Sequence, residues 1–278
     1  MPTLAFWNTH ENVTPQSIVA LARGWDADIL VLAENKVSVP DLLRALNDGA
    51  QRLYFPDVGN SARLTIFTRF PTDAKTLIRD SHGVAIRHYP LPLGDSLLMV
   101  AAHLSSKLRK NTDEQVLAST RVARYVHEAE ATVGHSRTVV IGDLNMNPFE
   151  AGVVGSEGLH AIMDRRIAAR GSRVVSGERC PFFYNPMWGM LGDLTSQPPG
   201  TYFYDSGSEV NYYWNVYDQV LLRPSLLGFM APHPVTVVTE LGGTSLLSDA
   251  GRPDRVAMSD HLPIVCHLHE FLEHANGN

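Results

Sequence analysis

The sequence predicts an α/β fold of two packed, mixed or antiparallel β-sheets flanked by helices. Short apolar runs rich in Val, Ile, Leu and Phe recur along the 278 residues, and helical patterns lie between some of them. These runs outnumber the strands that one twisted sheet comfortably holds. Since sheets and helices must bury their apolar faces, two sheets packed together with helices outside them are the simplest arrangement.

Strands are predicted wherever an apolar run has strand length. In chain order they are Leu4–Trp7, Ile29–Ala33, Leu64–Phe67, Lys75–Ile78, Val84–His88, Leu97–Ala102, Thr138–Ile141, Thr201–Tyr204, Val220–Leu222, Val235–Val238 and Ile264–Leu268. Helical patterns predict helices over Pro15–Arg23, Pro40–Asn47 and Thr112–Ala131. In the third helix, Thr112 and Gln115 form a capping-box pattern in which each satisfies a backbone donor of the other.

The composition is that of an ordinary globular protein. Hydrophobic residues make up 44% and charged residues 19%, with a formal charge of −6, which excludes collagen-like, coiled-coil and largely disordered chains. No apolar run approaches the roughly 18 residues of a membrane span, and no signal peptide is recognisable, so we expect a cytoplasmic protein.

The 2 cysteines exclude a disulfide framework and a CxxC metal site.

Nothing in the sequence marks a domain boundary, because there is no repeat, low-complexity stretch or linker. We therefore expect one domain over residues 1–278, with an aromatic-rich insertion or long loop around residues 170–215.

Polar residues stand at the ends of several predicted strands. Four groups follow a strand, namely Asn8, Glu34, His103 and Gly142-Asp143-Leu144-Asn145, whereas Asp218 and Ser259-Asp260-His261 precede one. If all six groups meet at one edge, the last two strands run opposite to the first four. This predicts mixed or antiparallel pairing rather than a doubly wound parallel sheet.

The candidate ligands are oxygens and imidazoles with no thiolate among them, a set that favours Mg²⁺ or Mn²⁺ over structural zinc. Mg²⁺ bound by one or two carboxylates keeps open positions for phosphate oxygens, which suits hydrolysis of phosphate esters. Asp218 alternates with Val216 and Val220 and so lies on the apolar face of its strand, where it needs a partner. We expect that partner to be His261, whose charged form a carboxylate favours.

Each motif has a simpler interpretation when it stands alone. An Asp-x-Asn after a strand is more often a turn, a Ser-Asp-His before a strand is usually a capped loop, and His103 could be a satisfied core histidine. Their occurrence together and in this order argues for a functional site.

The combined motifs resemble those of the endonuclease/exonuclease/phosphatase superfamily, which has the DNase I-like fold. The resemblance covers nearly the whole chain, from Asn8 to His261. It implies a four-layer α/β sandwich and Mg²⁺-dependent hydrolysis of phosphoesters, and it leaves open whether one metal ion or two act.

For the metal, the resemblance implies that Glu34 is the principal ligand, supported by Asn8 and Asp260. His10 stands where AP-endonuclease-like members commonly have a carboxylate, which puts a second metal site of that kind in doubt. Because an imidazole here replaces an oxygen donor, the preference is expected to shift toward Mn²⁺.

For the chemistry, the resemblance implies that Asp143 orients or deprotonates water and that Asn145 positions the phosphate. His103 would contact a phosphate oxygen, and His261, with Asp218 behind it, would stabilise the transition state.

Candidate substrate-binding residues lie outside these motifs. Residues 182–217 hold eleven of the chain's 23 aromatic residues, among them Trp188 and Trp214, and Lys107 and Arg109 follow His103. Five arginines precede the aromatic stretch, namely Arg165, Arg166, Arg170, Arg173 and Arg179. Such residues can contact phosphates and stack on bases. The alternatives are that the aromatics hold down a long loop and that the cations are a solvated cluster.

The leading hypothesis is a metal-dependent phosphodiesterase acting on a nucleic acid. The second is a phosphatase or phosphodiesterase of a small phosphorylated metabolite, nucleotide or lipid headgroup. A third is a binding or scaffold protein that has kept the fold without catalysis.

Overall fold

The structure, a computed structural model, describes residues 2–269 except for residues 11, 58, 60, 92–94, 108–110 and 195–196. Arg109, one of the predicted substrate-binding residues, lies outside the described residues. Within the described part of the chain, no helix has both the length and the hydrophobicity needed to cross a bilayer.

Two large sheets form the centre of the molecule. The six-stranded sheet has the order β16-β19-β1-β2-β4-β3 and consists of β1 (Thr3–Asn8), β2 (Ile29–Ala33), β3 (Phe55–Pro56), β4 (Leu64–Thr68), β16 (Met230–Val237) and β19 (Ile264–Leu268). The seven-stranded sheet has the order β5-β6-β7-β8-β15-β12-β9 and consists of β5 (Thr76–Ser81), β6 (Val84–Pro90), β7 (Ser96–His103), β8 (Thr138–Asp143), β9 (Ala161–Ile162), β12 (Phe183–Tyr184) and β15 (Asp218–Leu222).

The remaining elements are helices and small two-stranded sheets. The α-helices are α1 (Pro15–Gly24), α2 (Val39–Asn47), α3 (Thr112–Val133), α4 (Ala151–Val154) and α5 (Arg165–Ala168), and 3₁₀-helices span Pro186–Met190 and Pro224–Phe229. The small sheets pair β10 (Ser172–Val175) with β11 (Glu178–Pro181), β13 (Tyr202–Tyr204) with β14 (Tyr213–Asn215), and β17 (Glu240–Leu241) with β18 (Thr244–Ser245).

The helices and sheets stack in four layers. One core lies between the two sheets and continues beneath α1 and α2, where it includes Ile18 and Leu42. A second core lies between the outer face of the seven-stranded sheet and α3, where Val122 and Val126 are buried. The predicted α/β fold of two packed sheets flanked by helices is therefore confirmed.

The predicted strand directions are also confirmed. β1 is parallel to β2 and β7 is parallel to β8, whereas β19 is antiparallel to β1 and β15 is antiparallel to β8. In this register, Asp143 lies directly opposite His103 on one side and Asp218 on the other.

One detail differs from the sequence prediction, and a second adds to it. The capping box of α3 is formed by Asn111 and Glu114 rather than by Thr112 and Gln115, so the helix cap begins one residue earlier than predicted. Residues 170–215, expected as an insertion or a long loop, contain the pairs β10–β11 and β13–β14 and contribute β12 to the large sheet. Strand pairing therefore orders much of this segment.

A buried cluster of charges links the two sheets on β6. The Arg87 guanidinium donates to Asp57, which follows β3, at 2.7 Å, and to Asp80 on β5 at 2.8 Å. Tyr89 donates its hydroxyl to the second Asp57 oxygen at 3.2 Å, and Lys75 Nζ lies 3.7 Å from that oxygen. Burial lowers the pKa of Arg87, but the hydrogen bonds to Asp80 and Asp57 outweigh it and leave the pKa raised. Each charge in this cluster therefore has a partner of opposite sign.

Candidate functional site

The polar residues predicted at the strand ends come together where the two sheets meet. Each of three close pairs joins one sheet to the other. These pairs are Asn8 Nδ2 with Asp143 Oδ2 at 3.1 Å, His103 Nε2 with Glu34 Oε1 at 3.3 Å, and His261 Nδ1 with Asp218 Oδ2 at 2.8 Å. The sequence predicted that these groups meet at one edge. In the structure they meet where the strand ends of both sheets lie side by side.

Local backbone geometry places the carboxylates. Gly142 has a φ of +154°, and a Cβ there would lie 1.8 Å from the carbonyl oxygen of Ala102. Only glycine therefore allows β8 to approach β7 this closely just before Asp143. Glu34 and Asn145 have φ values of +54° and +52°, a left-handed conformation that is strained for residues with a side chain.

Asn145 is held in this conformation by three hydrogen bonds. Its backbone N–H donates to Asp143 at 2.8 Å, its side-chain Nδ2 donates to the Leu104 carbonyl at 3.0 Å, and its own carbonyl accepts from Gln115 at 2.8 Å. The loop after β8 is thereby fixed to both the β7 end and α3.

Asp143 is a buried carboxylate between two imidazoles. Its Oδ2 lies 3.8 Å from His103 Nε2 and 4.0 Å from His261 Nε2. Burial raises the pKa of Asp143, because the charged form loses hydration. A carboxylate in this environment binds a proton more readily than one in water, as a general base must.

The predicted partnership of Asp218 with His261 is present in the structure. Burial lowers the pKa of His261, but the charge and hydrogen bond of Asp218 outweigh it and raise the pKa to about 10. The imidazole is therefore a cation at neutral pH. Its backbone is also held, because its N–H donates to Ser259 at 3.1 Å and its carbonyl accepts from Trp7 at 3.0 Å.

Glu34 is the most accessible carboxylate of the three pairs, with 39% of its side chain exposed. The hydrogen bond from His103 lowers the pKa of Glu34 to about 2, so the group is ionised. His10 Nδ1 lies 3.6 Å from the other oxygen of Glu34. Asp260 is half-buried, and its side chain makes no hydrogen bond or ion pair with another described residue.

These donors fit a hard divalent cation. Glu34 offers an ionised, accessible carboxylate, Asn8 an amide oxygen, and Asp260 a carboxylate with no hydrogen-bonding partner among the described residues. A second set, Asp143, Asp218 and His261, has ligand atoms within 4.8 Å of one another, but the Nδ1 of His261 is already bonded to Asp218. The first set is thus a candidate by the chemistry of its donors, and the second by the closeness of its ligand atoms.

The predicted substrate-binding residues lie in different environments. Lys107 forms an ion pair with Glu150, and its Nζ lies 5.5 Å from the ring centre of Tyr217. Trp188 packs edge-on against Phe149 with 6.4 Å between ring centres. Trp214 packs edge-on against Phe203 and against the core between the sheets, a position that suits packing.

Tyr202 and Thr201 were not singled out from the sequence, but they contact the site. The Tyr202 ring lies 4.6 Å from that of His261 and 5.4 Å from that of Tyr217. Thr201 is fully buried, and its Oγ1 accepts a hydrogen bond from the Asp218 backbone at 3.1 Å. The density of aromatics was the available signal for Tyr202, and no sequence pattern pointed to Thr201.

Comparison with known proteins identifies the fold. No protein-family model and no curated protein matches this chain. Among solved structures, an endonuclease/exonuclease/phosphatase family protein from Bacteroides thetaiotaomicron matches with a TM-score of 0.55 and 16% identity, over 96% of this chain and 97% of that one. The chain has the DNase I-like fold.

Two further structures with the DNase I-like fold support this. An AP endonuclease from Archaeoglobus fulgidus has a TM-score of 0.55 and 14% identity, covering 96% of this chain and 99% of that one. Truncated TDP2 from Caenorhabditis elegans has a TM-score of 0.53 and 16% identity, covering 97% of each chain. The fold that the sequence motifs implied is thus confirmed.

Proposed function

We propose that this protein is a phosphodiester hydrolase that depends on a divalent metal ion and that acts on a nucleic acid. The observation that carries the proposal is the joint placement of two groups. His261 is paired with Asp218, and the buried Asp143 shares the neighbouring His103 with the ionised Glu34. A cationic imidazole next to a carboxylate base is suited to a reaction in which negative charge builds up on phosphoryl oxygens.

The metal ion would be held by Glu34, Asn8 and Asp260, with Mg²⁺ or Mn²⁺ as the candidates because the donors are hard oxygens. When bound, such an ion supplies positive charge to a phosphoryl oxygen and acidifies bound water. His10 lies beside Glu34 and offers an imidazole to the same region.

The protein's own side chains would carry out the other catalytic roles. Asp143 orients a water molecule and accepts its proton, which its raised pKa favours. His261, held as a cation by Asp218, donates a hydrogen bond to a phosphoryl oxygen as charge develops. Asn145, whose backbone N–H donates to Asp143, would position the phosphate, and His103, whose Nε2 lies 3.8 Å from Asp143, would contact a phosphate oxygen.

The choice of a nucleic acid rests on one structurally similar protein and on the aromatic rings near the site. The similar structure from Archaeoglobus fulgidus is an AP endonuclease. In this chain, Tyr202 and Tyr217 extend from His261, and Lys107 lies over the Tyr217 ring. Rings and cations beside a phosphate site suit the bases and phosphates of a polynucleotide.

A small phosphoester is the second candidate, because the half-buried rings of Tyr202 and Tyr217 also form a wall beside His261. A wall of this kind can close a pocket around a metabolite, a nucleotide or a lipid headgroup.

The test uses two substrates in parallel. Purified protein is given supercoiled plasmid and bis(p-nitrophenyl) phosphate in Mg²⁺ or Mn²⁺, with EDTA as the metal-free arm. Hydrolysis of both, lost in EDTA and in Asp143→Asn but kept in Asp73→Asn, a change of an exposed carboxylate in the loop before β5, supports the proposal. Hydrolysis of the small diester with intact plasmid favours the small-phosphoester candidate. Failure on every phosphoester despite metal binding contradicts a hydrolase.

A further inference from the structure

A strongly basic segment lies beside the outer edge of the seven-stranded sheet, where β9 is the last strand. This arginine segment, residues 163–179, carries five arginines and two carboxylates, a formal charge of +3 in a chain whose total is −6. All five arginines are exposed, namely Arg165, Arg166, Arg170, Arg173 and Arg179. The rest of the chain is accordingly more acidic than the total suggests.

The carboxylates of the segment leave most of this charge uncompensated. Asp164 accepts hydrogen bonds from the backbone N–H groups of Arg166 and Ile167 at 2.8 and 2.9 Å, so it caps α5. Its distance to the Arg166 guanidinium is 3.9 Å, and that side chain is 94% exposed, so the pair contributes little. Arg170 and Arg179 form no ion pair with any described residue.

The segment has a defined shape rather than a loose run of charges. Arg173 Nε donates to His160 Nε2 at 2.9 Å, and Arg165 donates to the Leu227 carbonyl, which fixes two guanidinium groups. Val174 lies opposite Arg179 in the β10–β11 ladder, so the two side chains share one face. Val174 is 71% exposed and Met163 is 62% exposed, which places apolar surface beside the cations.

We propose that the arginine segment binds the sugar-phosphate backbone of the nucleic-acid substrate at a distance from the reacting phosphate. This inference rests on the proposed function. The segment contains arginine and no lysine, and the planar guanidinium group pairs with phosphate through two hydrogen bonds. Exposed Val174 and Met163 supply apolar contacts for sugars and bases.

The sheet topology sets the distance between the arginine segment and the candidate site. Asp218 begins β15, and the far end of that strand, Leu222, pairs with Tyr184 of β12, which in turn pairs with β9. Four residues along a strand and two strand spacings across a sheet put β9 about 16 Å from Asp218. A substrate that contacts both the site and the arginine segment must therefore be several nucleotides long, which distinguishes a polymer from a small phosphoester.

The test compares two triple variants that remove the same charge. The first combines Arg166→Gln, Arg170→Gln and Arg179→Gln. The control combines Arg44→Gln, Arg52→Gln and Arg124→Gln, which are exposed and lie on other surfaces. Binding of a fluorescein-labelled single-stranded DNA 20-mer is measured in EDTA by anisotropy, over a range of salt concentrations.

We expect the first variant to bind DNA at least tenfold more weakly at low salt. The magnitude of the slope of log K against log salt should fall by about 2, because each of the three lost phosphate contacts lowers that magnitude by about 0.7. The control should keep the wild-type slope. Both variants should hydrolyse bis(p-nitrophenyl) phosphate at the wild-type rate, while only the first loses kcat/KM on the 20-mer through a higher KM.

Two outcomes overturn the proposal. In the first, the arginine variant binds DNA as tightly as the wild type; if it has lost binding to phosphatidylserine vesicles, titrated in parallel, the segment is a membrane surface. In the second, the control loses as much affinity, so that only net charge matters. Failure of the wild type to hydrolyse any phosphoester would instead contradict the proposed function, and DNA binding in EDTA would still report on the segment.

Discussion

Two buried clusters of charged side chains join the two sheets, one around Arg87 and the other around Asp143 and His261. In the Arg87 cluster, both carboxylates contact the guanidinium, and Tyr89 and Lys75 lie at the remaining oxygen of Asp57. In the second cluster, Asp218 Oδ1 and His103 Nδ1 are buried without a hydrogen-bond partner among the described residues.

The backbone differs between the two clusters as well. Glu34 and Asn145, at the second cluster, have positive φ values, whereas Arg87, Asp57 and Asp80 do not. Burial of charge alone therefore does not indicate a reactive site. At the second cluster, buried charge occurs together with unpaired buried atoms and a strained backbone, and folding alone gains nothing from either.

The sharpest test of this contrast is Asp143→Asn. Loss of a general base lowers kcat by about 10²–10⁴-fold, which is the largest effect that we expect from a single change. Because burial raises the pKa of Asp143, folding disfavours its charged form, and the free energy of unfolding of the neutral Asn variant should stay the same or rise. Steady-state kinetics on bis(p-nitrophenyl) phosphate and urea unfolding measure the two quantities. Loss of activity accompanied by a large loss of stability would mean that Asp143 is a structural group like Arg87.

Arg87→Met is expected to show the opposite behaviour. It leaves the buried Asp57 and Asp80 without the guanidinium, although Lys75 stays near Asp57, so stability should fall by about 3–5 kcal/mol. The protein that remains folded should keep its kcat, since Arg87 contacts none of the candidate site residues. Urea unfolding and kinetics at low temperature check both points. A kcat that falls while the midpoint of unfolding is unchanged would contradict the assignment.

The two clusters also differ in how far the sequence could predict them. The partnership of Asp218 with His261 was predictable, because strand alternation put a carboxylate on a buried face that required a partner. The Arg87 cluster was not, since Asp57 lies outside any patterned segment and pairing between the sheets decides its contacts. The cap of α3 shows the same limit on a smaller scale. Asn111-x-x-Glu114 and Thr112-x-x-Gln115 both satisfy the capping pattern, but Gln115 donates to the Asn145 carbonyl instead, and the first pair forms the cap.

The pH dependence of stability offers a third test. The pKa of His261 is raised to about 10 in the folded protein, so its contribution to stability is complete below the unfolded value near 6.5. That contribution is lost as the pH rises from about 6.5 toward about 10. We expect the wild type to lose stability over this range in EDTA and His261→Gln to lose much less. Parallel curves for the two proteins would show that the imidazole is not held as a cation.

Thr201→Val tests a smaller effect transmitted to the site. The substitution removes the acceptor for the Asp218 backbone N–H, so the Asp218–His261 pair should be misplaced. We expect kcat to fall about tenfold, which corresponds to the free energy of about one hydrogen bond. KM should change little, because Thr201 is fully buried and does not reach a substrate. Thr201→Ser keeps the hydroxyl and should restore kcat. Equal losses in the two variants would indicate that only packing matters at this position.

The smallest effect is expected at His10, whose Nδ1 lies 3.6 Å from Glu34. Relative to an imidazole, a carboxylate favours Mg²⁺, so His10→Asp should raise the ratio of activity in Mg²⁺ to activity in Mn²⁺ by about threefold. The fold should tolerate the change, because aspartate is among the residues that most readily adopt the positive φ of +46° found here. His233→Asp, an exposed histidine on β16, is the control for the added charge. An unchanged ratio would place His10 outside the region that the metal ion occupies, which would leave Glu34, Asn8 and Asp260 as its candidate ligands.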